Sequence, residues 1–227
     1  NLAQYFKFAE FGVSEFKPKI IIYNIVANDY FNSQPGKYNF NLEKEEIFLK
    51  ISGYREKKLI HKILLKSNFV RYLYYNLRPH HQINYLLNMR NTKFEGNIPC
   101  EYTEVELNEN KKTFDLFLKL NQRFLDQGIK IIVMFDPIRS KIYKRNLNNC
   151  GLNDFETGLA SKIRDYSVNK IKNYGIYTLD LEPHFFTAYQ QNNIKFEFKN
   201  DLHWNKYTHN LVSDILIEFM NVEKILN

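Results

Sequence analysis

The stretch Ile129-Lys-Ile-Ile-Val-Met-Phe135, followed by Asp136-Pro137, decides the fold. A short, continuous apolar run rich in β-branched residues is typical of a strand that is buried on both faces of a parallel sheet. Gly128 precedes it and marks the end of a helix predicted over 111–127. A helix that leads directly into a buried strand predicts an α/β fold.

The same alternation continues on both sides of this stretch. A helix over 3–16 precedes a second buried run, Lys19–Val26, which stops at Ala27-Asn28-Asp29. A helix over Asp154–Asn173, with Asp154 as its cap, precedes a third strand over Gly175–Leu181. A helix over Thr208–Met220 closes the chain. This order predicts a doubly wound parallel sheet between two layers of helices, a three-layer αβα sandwich of the flavodoxin-like type.

Length and composition favour one domain. The chain has 227 residues, of which 44% are hydrophobic, enough for a sizeable core. No apolar run approaches the roughly 20 residues of a membrane span, and no secretory apolar segment opens the chain. The net charge is +7, but Lys and Arg are dispersed, so no nucleic-acid partner is expected.

Residues 31–110 break the regular alternation and are predicted to be a variable insertion of helix and loop. Within it, 32–41 is predicted to be a loop and 80–109 mostly irregular, while Arg55–Leu77 forms a basic amphipathic helix. Such a helix is compatible with a peripheral membrane contact or with covering an acyl cleft. A lid or packing helix is the preferred interpretation.

Metals and cofactors have little support in the sequence. Cys100 and Cys150 stand outside any CxxC pair, and whether they pair with each other stays open. His80 and His81 are adjacent, without the further ligands that a metal needs. No glycine-rich phosphate loop is present. We therefore expect no metal and no organic cofactor.

Chemistry is indicated near the C-terminus by Asp201-Leu-His203-Trp204-Asn205, with His209 just beyond. An Asp two residues before a His is able to hold one imidazole nitrogen while the other takes a proton, as in a Ser-His-Asp triad. The competing interpretations are a turn or cap carboxylate for Asp201 and a satisfied loop histidine for His203. Asn28 is equally well explained as a residue that terminates a strand.

These blocks resemble the SGNH hydrolase superfamily, also called GDSL-like lipases and esterases. The segment from Asp201 to His209 and the helix after it are similar to the last conserved block of that family. Ile-Val-Ala-Asn28-Asp29 is similar to the block in which an Asn follows a central strand. The resemblance covers 1–30 and 111–220.

The resemblance implies a role for each matched residue. His203 would be the general base and Asp201 would orient it. The Asn28 amide would donate to the oxyanion, with Asp29 beside it near the substrate. Trp204 and Asn205 would support the loop. The implied substrate is a small-molecule or glycan ester, such as an O-acetyl carbohydrate or a lipid.

The family's nucleophile is not present in this sequence. None of the eight serines lies in a Gly-Asp-Ser or Gly-x-Ser-x-Gly context. Because the chain begins at Asn1 without a Met, we expect the serine block, and one or two strands, to lie upstream. We expect a serine ester hydrolase, inactive without that block. The alternatives are a non-catalytic glycan-binding or assembly protein and an O-acyltransferase of surface polysaccharides.

Overall fold

A parallel sheet lies at the centre of the computed structural model, which describes residues 1–30, 38–49, 103–143, 158–198 and 203–226. All of these residues belong to one unit, built from Asn1–Lys50 and Glu95–Asn227. The sheet has the order β1-β4-β5, with β1 at Ile20–Ile25, β4 at Lys130–Phe135 and β5 at Tyr177–Asp180. These are the three strands that the sequence predicts, but β1, which was expected to be buried, exposes Ile22 at 44%.

The side chains of β4 alternate between two cores. Ile131, Val133 and Phe135 point to one face of the sheet, and Ile132 and Met134 to the other. All are buried, which explains why the run is apolar without interruption. The central strand therefore holds the two helical layers together.

Helices cover each face of the sheet. The first face packs against α1 (Leu2–Phe16), α2 (Glu104–Leu125) and α4 (Leu159–Ile171). The second packs against α5 (Glu182–Asn192) and α6 (Lys206–Val222), with the short helix α3 (Arg139–Tyr143) beside them. The three-layer α/β architecture predicted from the sequence is confirmed.

The prediction for α2 was wrong at its start, because the helix begins at Glu104 rather than at Lys111. Thr103 and Glu106 form a reciprocal capping box, in which the Glu106 backbone N–H donates to the Thr103 hydroxyl oxygen at 3.2 Å. The Thr103 N–H in turn donates to the Glu106 carboxylate at 2.7 Å. This cap stabilises an additional two turns that carry few apolar residues.

The loop predicted over 32–41 was wrong for its described part. Tyr38–Asn41 is a strand, β2, which pairs antiparallel with β3 at Glu46–Leu49. The Asn41 side-chain oxygen accepts the backbone N–H groups of Glu43 and Lys44, both at 3.1 Å, and so closes the hairpin turn.

Two further elements differ from the prediction. Helix α5 was not predicted, although Pro183 in its first turn is a signal for a helix start. Gly158 caps α4 without a side-chain hydrogen bond. The proposed cap Asp154 lies outside the described residues, as do His80, His81, Cys100, Cys150 and the helix predicted over Arg55–Leu77.

No helix within the described ranges is long and apolar enough to cross a membrane.

The double burial of β4 is testable with two isoleucines that are register partners. Ile132 on β4 is 0% exposed, whereas Ile22 opposite it on β1 is 44% exposed. We expect Ile132→Ala to lower the free energy of unfolding by about 2–5 kcal/mol. Ile22→Ala should cost less than about 1 kcal/mol. Urea unfolding of both variants measures the difference, and equal losses would contradict the assignment of β4 as the central strand.

Candidate functional site

Three loops begin side by side at the carboxyl edge of the sheet. Ile25, at the end of β1, is the register partner of Phe135, and Phe135 is the partner of Asp180 on β5. Backbone pairing continues one step further, since the Asp136 N–H donates to the Ile25 carbonyl at 2.9 Å. Ligands of open parallel sheets bind beyond this edge, so it is the candidate site.

The chain leaves β1 through a 3₁₀ turn at Ala27–Tyr30, and Asp29 holds this turn together. Its carboxylate accepts the Val26 N–H at 3.0 Å and the Tyr5 hydroxyl at 2.8 Å. Asp29 is buried at 7% exposure. These bonds favour a structural role for Asp29 over the substrate contact that the resemblance implies.

The side chains of two predicted catalytic residues lie outside the described part of the structure. Asn28 lies in the same turn as Asp29, but its side chain is outside the described part of the structure. Asp201 lies outside the described residues altogether. The oxyanion role of Asn28 and the orienting role of Asp201 therefore stay predictions.

His203 is exposed and lies on a loop whose C-terminal side is firmly anchored. Its carbonyl accepts the Phe198 N–H at 3.2 Å, and Trp204 forms an isolated antiparallel bridge with Glu197. An exposed histidine on an anchored backbone is compatible with the predicted role of His203 as a general base.

Asn205 fastens this loop to the segment before it and to α6. Its side-chain amide donates to the carbonyls of Lys195 at 2.7 Å and Glu197 at 3.2 Å. Its side-chain oxygen accepts the Thr208 N–H at 3.0 Å and so caps α6. The supporting role that the resemblance implies for Asn205 agrees with these contacts.

Trp204 joins the His203 loop to the sheet edge. Its indole N–H donates to Asp136 Oδ1 at 3.0 Å. The ring lies 6.4 Å from the ring of Phe185 and 5.7 Å from that of His209, measured between centroids. His209 therefore supports the tryptophan, and the His203 loop is held at the end of β4, directly beside the end of β1.

Asp136 belongs to this site, although the sequence assigned it no role. It is buried at 7% exposure. Burial raises the pKa of its carboxyl to about 6, against the opposing effects of Arg139, of the Trp204 N–H and of Arg164, while Asp29 raises it further. The position of Asp136 directly after a buried strand is visible in the sequence. Its hydrogen-bond partner Trp204 lies 68 residues away, so the bond between them is not.

Arg164 places a buried positive charge beneath the same edge. Its Nε donates to the Asp136 carbonyl at 3.1 Å, and its guanidinium pairs with Asp180 and, at 3.7 Å, with Glu182. Burial acts to lower the pKa of Arg164, but these two carboxylates outweigh it and raise the pKa overall. The ion pairs with Asp180 and Glu182 compensate the burial of the positive charge of Arg164 in the core.

Metal binding has no geometric support in the part of the chain that the structure describes, where no group of three or more His, Cys, Asp or Glu residues could hold an ion. The expectation of no cofactor stays a prediction.

Comparison with known proteins identifies a family for the C-terminal half. Residues 101–225, more than half of the chain, match the family described as "SGNH hydrolase-like domain, acetyltransferase AlgX". The matched region includes β4, β5 and the whole segment from Asp201 to His209. Searches among curated proteins and among solved structures found no significant match.

The anchoring of the loop predicts a large effect for Asn205. Asn205→Ala removes a helix cap and two further hydrogen bonds, and should lower the free energy of unfolding by about 1–3 kcal/mol. Asn205→Asp keeps the capping oxygen but loses the donors, so its loss should be intermediate. Thermal unfolding measures both, with the exposed Asn210→Ala on α6 as the matched control. A loss in Asn210→Ala as large as in Asn205→Ala would contradict the anchor.

The burial of Asp136 predicts a pH-dependent stability. Because its pKa of about 6 lies above the ordinary value of 3.8, the ionised carboxylate destabilises the folded state above pH 6. This penalty is relieved as the pH falls through 6 towards 4. The unfolding free energy of Asp136→Asn minus that of the wild type should therefore grow by about 1–2 kcal/mol from pH 5 to pH 8. Urea unfolding at both pH values tests this, and the exposed Asp214→Asn should show no such gain.

Proposed function

Since the chain belongs to the SGNH hydrolase-like family, we propose that it is an acyl-transfer domain that moves an acyl group from an ester donor to a carbohydrate hydroxyl. The match to a family described as an acetyltransferase favours a hydroxyl acceptor. The sequence alone predicts hydrolysis, which is the same chemistry with water as the acceptor.

His203 acts as the base in this proposal. It takes the proton of a serine hydroxyl as the serine oxygen attacks the acyl carbonyl, and it returns that proton to the leaving alcohol. The acyl-enzyme is then attacked by the acceptor hydroxyl, whose proton passes to His203 and finally to the released serine. Asp201 orients the imidazole and Asn28 donates to the oxyanion, as the resemblance implies.

The observation that carries the proposal is the position of His203. It is exposed, whereas Trp204 and Asn205 directly after it are tied to Asp136, Lys195 and Glu197. A histidine needed only for folding gains nothing from an exposed position on an anchored loop. A base that meets a substrate requires both access and a fixed position. The anchored loop of His203 also lies beside the turn that contains Asn28.

The assay compares this chain with an extended chain that adds whatever native sequence flanks it and holds a Gly-Asp-Ser block. An acetyl ester donor is supplied with and without an oligosaccharide acceptor, and acetylated glycan and free acetate are measured. The extended chain should transfer acetyl groups, and His203→Gln should lower its rate by at least about 10²–10⁴-fold. His184→Gln, an exposed histidine on α5, is the control and should keep the rate.

Each result decides between the candidate functions. Acetate without acetylated glycan would replace the acyltransferase by an esterase. Full activity in His203→Gln, or equal and substantial activity in this chain and in the extended chain, would refute the mechanism. Glycan binding without any turnover in the extended chain would favour the non-catalytic alternative.

A further inference from the structure

We propose that Asp136 is a positioning residue for His203, and that its carboxylate holds the loop of the base in place through the indole of Trp204. The inference rests on the proposed function of His203 as the base. It assigns a role to a buried acid that neither the sequence pattern nor the proposed mechanism uses.

Asp136 is attached to a rigid part of the backbone. Its backbone N–H donates to the Ile25 carbonyl at 2.9 Å, and its own carbonyl accepts Arg164 Nε at 3.1 Å. Both bonds are to elements of the core, so the main chain is fixed from two sides just beyond β4. A carboxylate on such a backbone is a stationary acceptor rather than a mobile surface group.

Trp204 connects Asp136 to the loop that carries the base. Trp204 is adjacent to His203 in the chain, and its N–H reaches Asp136 Oδ1 at 3.0 Å. The indole also packs against the rings of Phe185 and His209. Displacement of the indole would move the backbone that carries the imidazole. Misplacement of a reacting group by about 1 Å can cost on the order of 10²-fold in rate.

Charged and titratable groups surround Asp136. The titratable and charged groups that face it come from four elements besides its own strand: Tyr5 on α1, Asp29 after β1, Arg139 on α3 and Arg164 on α4. Asp180 and Glu182 hold Arg164 in turn. With a pKa of about 6, the Asp136 carboxyl changes charge close to neutral pH. A carboxylate accepts the indole N–H more strongly than the neutral acid does, so the hold on the loop should loosen as the pH falls below 6.

A spectroscopic test follows from the composition, since Trp204 is the single Trp of this chain. Its fluorescence should change with a midpoint near pH 6 in the wild type and should lose that transition in Asp136→Asn. Because His209 also contacts the indole, His209→Gln is measured in parallel and should keep the transition, as should the exposed Asp214→Asn. A wild type without a transition, or an Asp136→Asn variant that retains it, would overturn the electrostatic link.

A kinetic test separates positioning from folding. In the extended chain, Asp136→Ala and Trp204→Phe should each lower kcat by roughly 10- to 100-fold with KM little changed. The double variant should be no slower than either single variant, because both changes break the same bond. Asp136→Asn keeps an oxygen acceptor and should recover much of kcat. If Asp136→Ala fails to fold, Trp204→Phe and Asp136→Asn carry the same test.

The outcomes distinguish this inference from the proposed function. Loss of activity in His203→Gln together with unchanged kcat in Trp204→Phe and Asp136→Ala would refute the positioning role alone. Unchanged activity in His203→Gln would refute the proposed function, whatever the fluorescence shows. Additive losses in the double variant would mean that Asp136 and Trp204 act separately, and would also refute the inference.

Discussion

The burial of β4 on both faces is the constraint on which the rest of the structure depends. Its side chains alternate between two cores, so helices must cover both sides of the sheet. Parallel pairing with β1 and β5 then brings the ends of three strands to one edge. The turn with Asn28, the buried Asp136 and the acids Asp180 and Glu182 at the end of β5 are neighbours because the strands have this order and register.

The electrostatics of that edge are unusual for a protein core. Asp136 and Asp29 are both buried there, and the nearby Arg164 supplies positive charge from α4. Burying charge is costly unless partners are present, and each of these groups has hydrogen-bond partners. A cluster of buried charges lowers the stability of the fold. Its presence is better explained by a role in a functional site than by folding alone.

The loop of His203 combines a fixed backbone with an exposed side chain. Asn205 ties it to the segment at Lys195–Glu197 and to the start of α6, and Trp204 ties it to β4. In an SGNH hydrolase-like domain this division suits a base that must meet a serine and a substrate without moving. The exposure of His203 and the anchoring of its loop support its proposed role as the base, and the family match covers the segment from Asp201 to His209 without assigning a role to any residue.

The sequence by itself determined the three parallel strands, the helices α1, α4 and α6, the family and the candidate His203 block. These features depend on local patterns, because apolar runs, caps and short motifs act over a few residues. It was less successful with α2, α5 and the β2–β3 hairpin, where the Thr103 capping box, Pro183 and the Asn41 turn carried the signal rather than apolar periodicity. The Trp204–Asp136 bond and the Arg164 cluster were decided only by the tertiary structure. Their partners are far apart in the chain and meet because parallel register and helix packing align them, which no local pattern encodes.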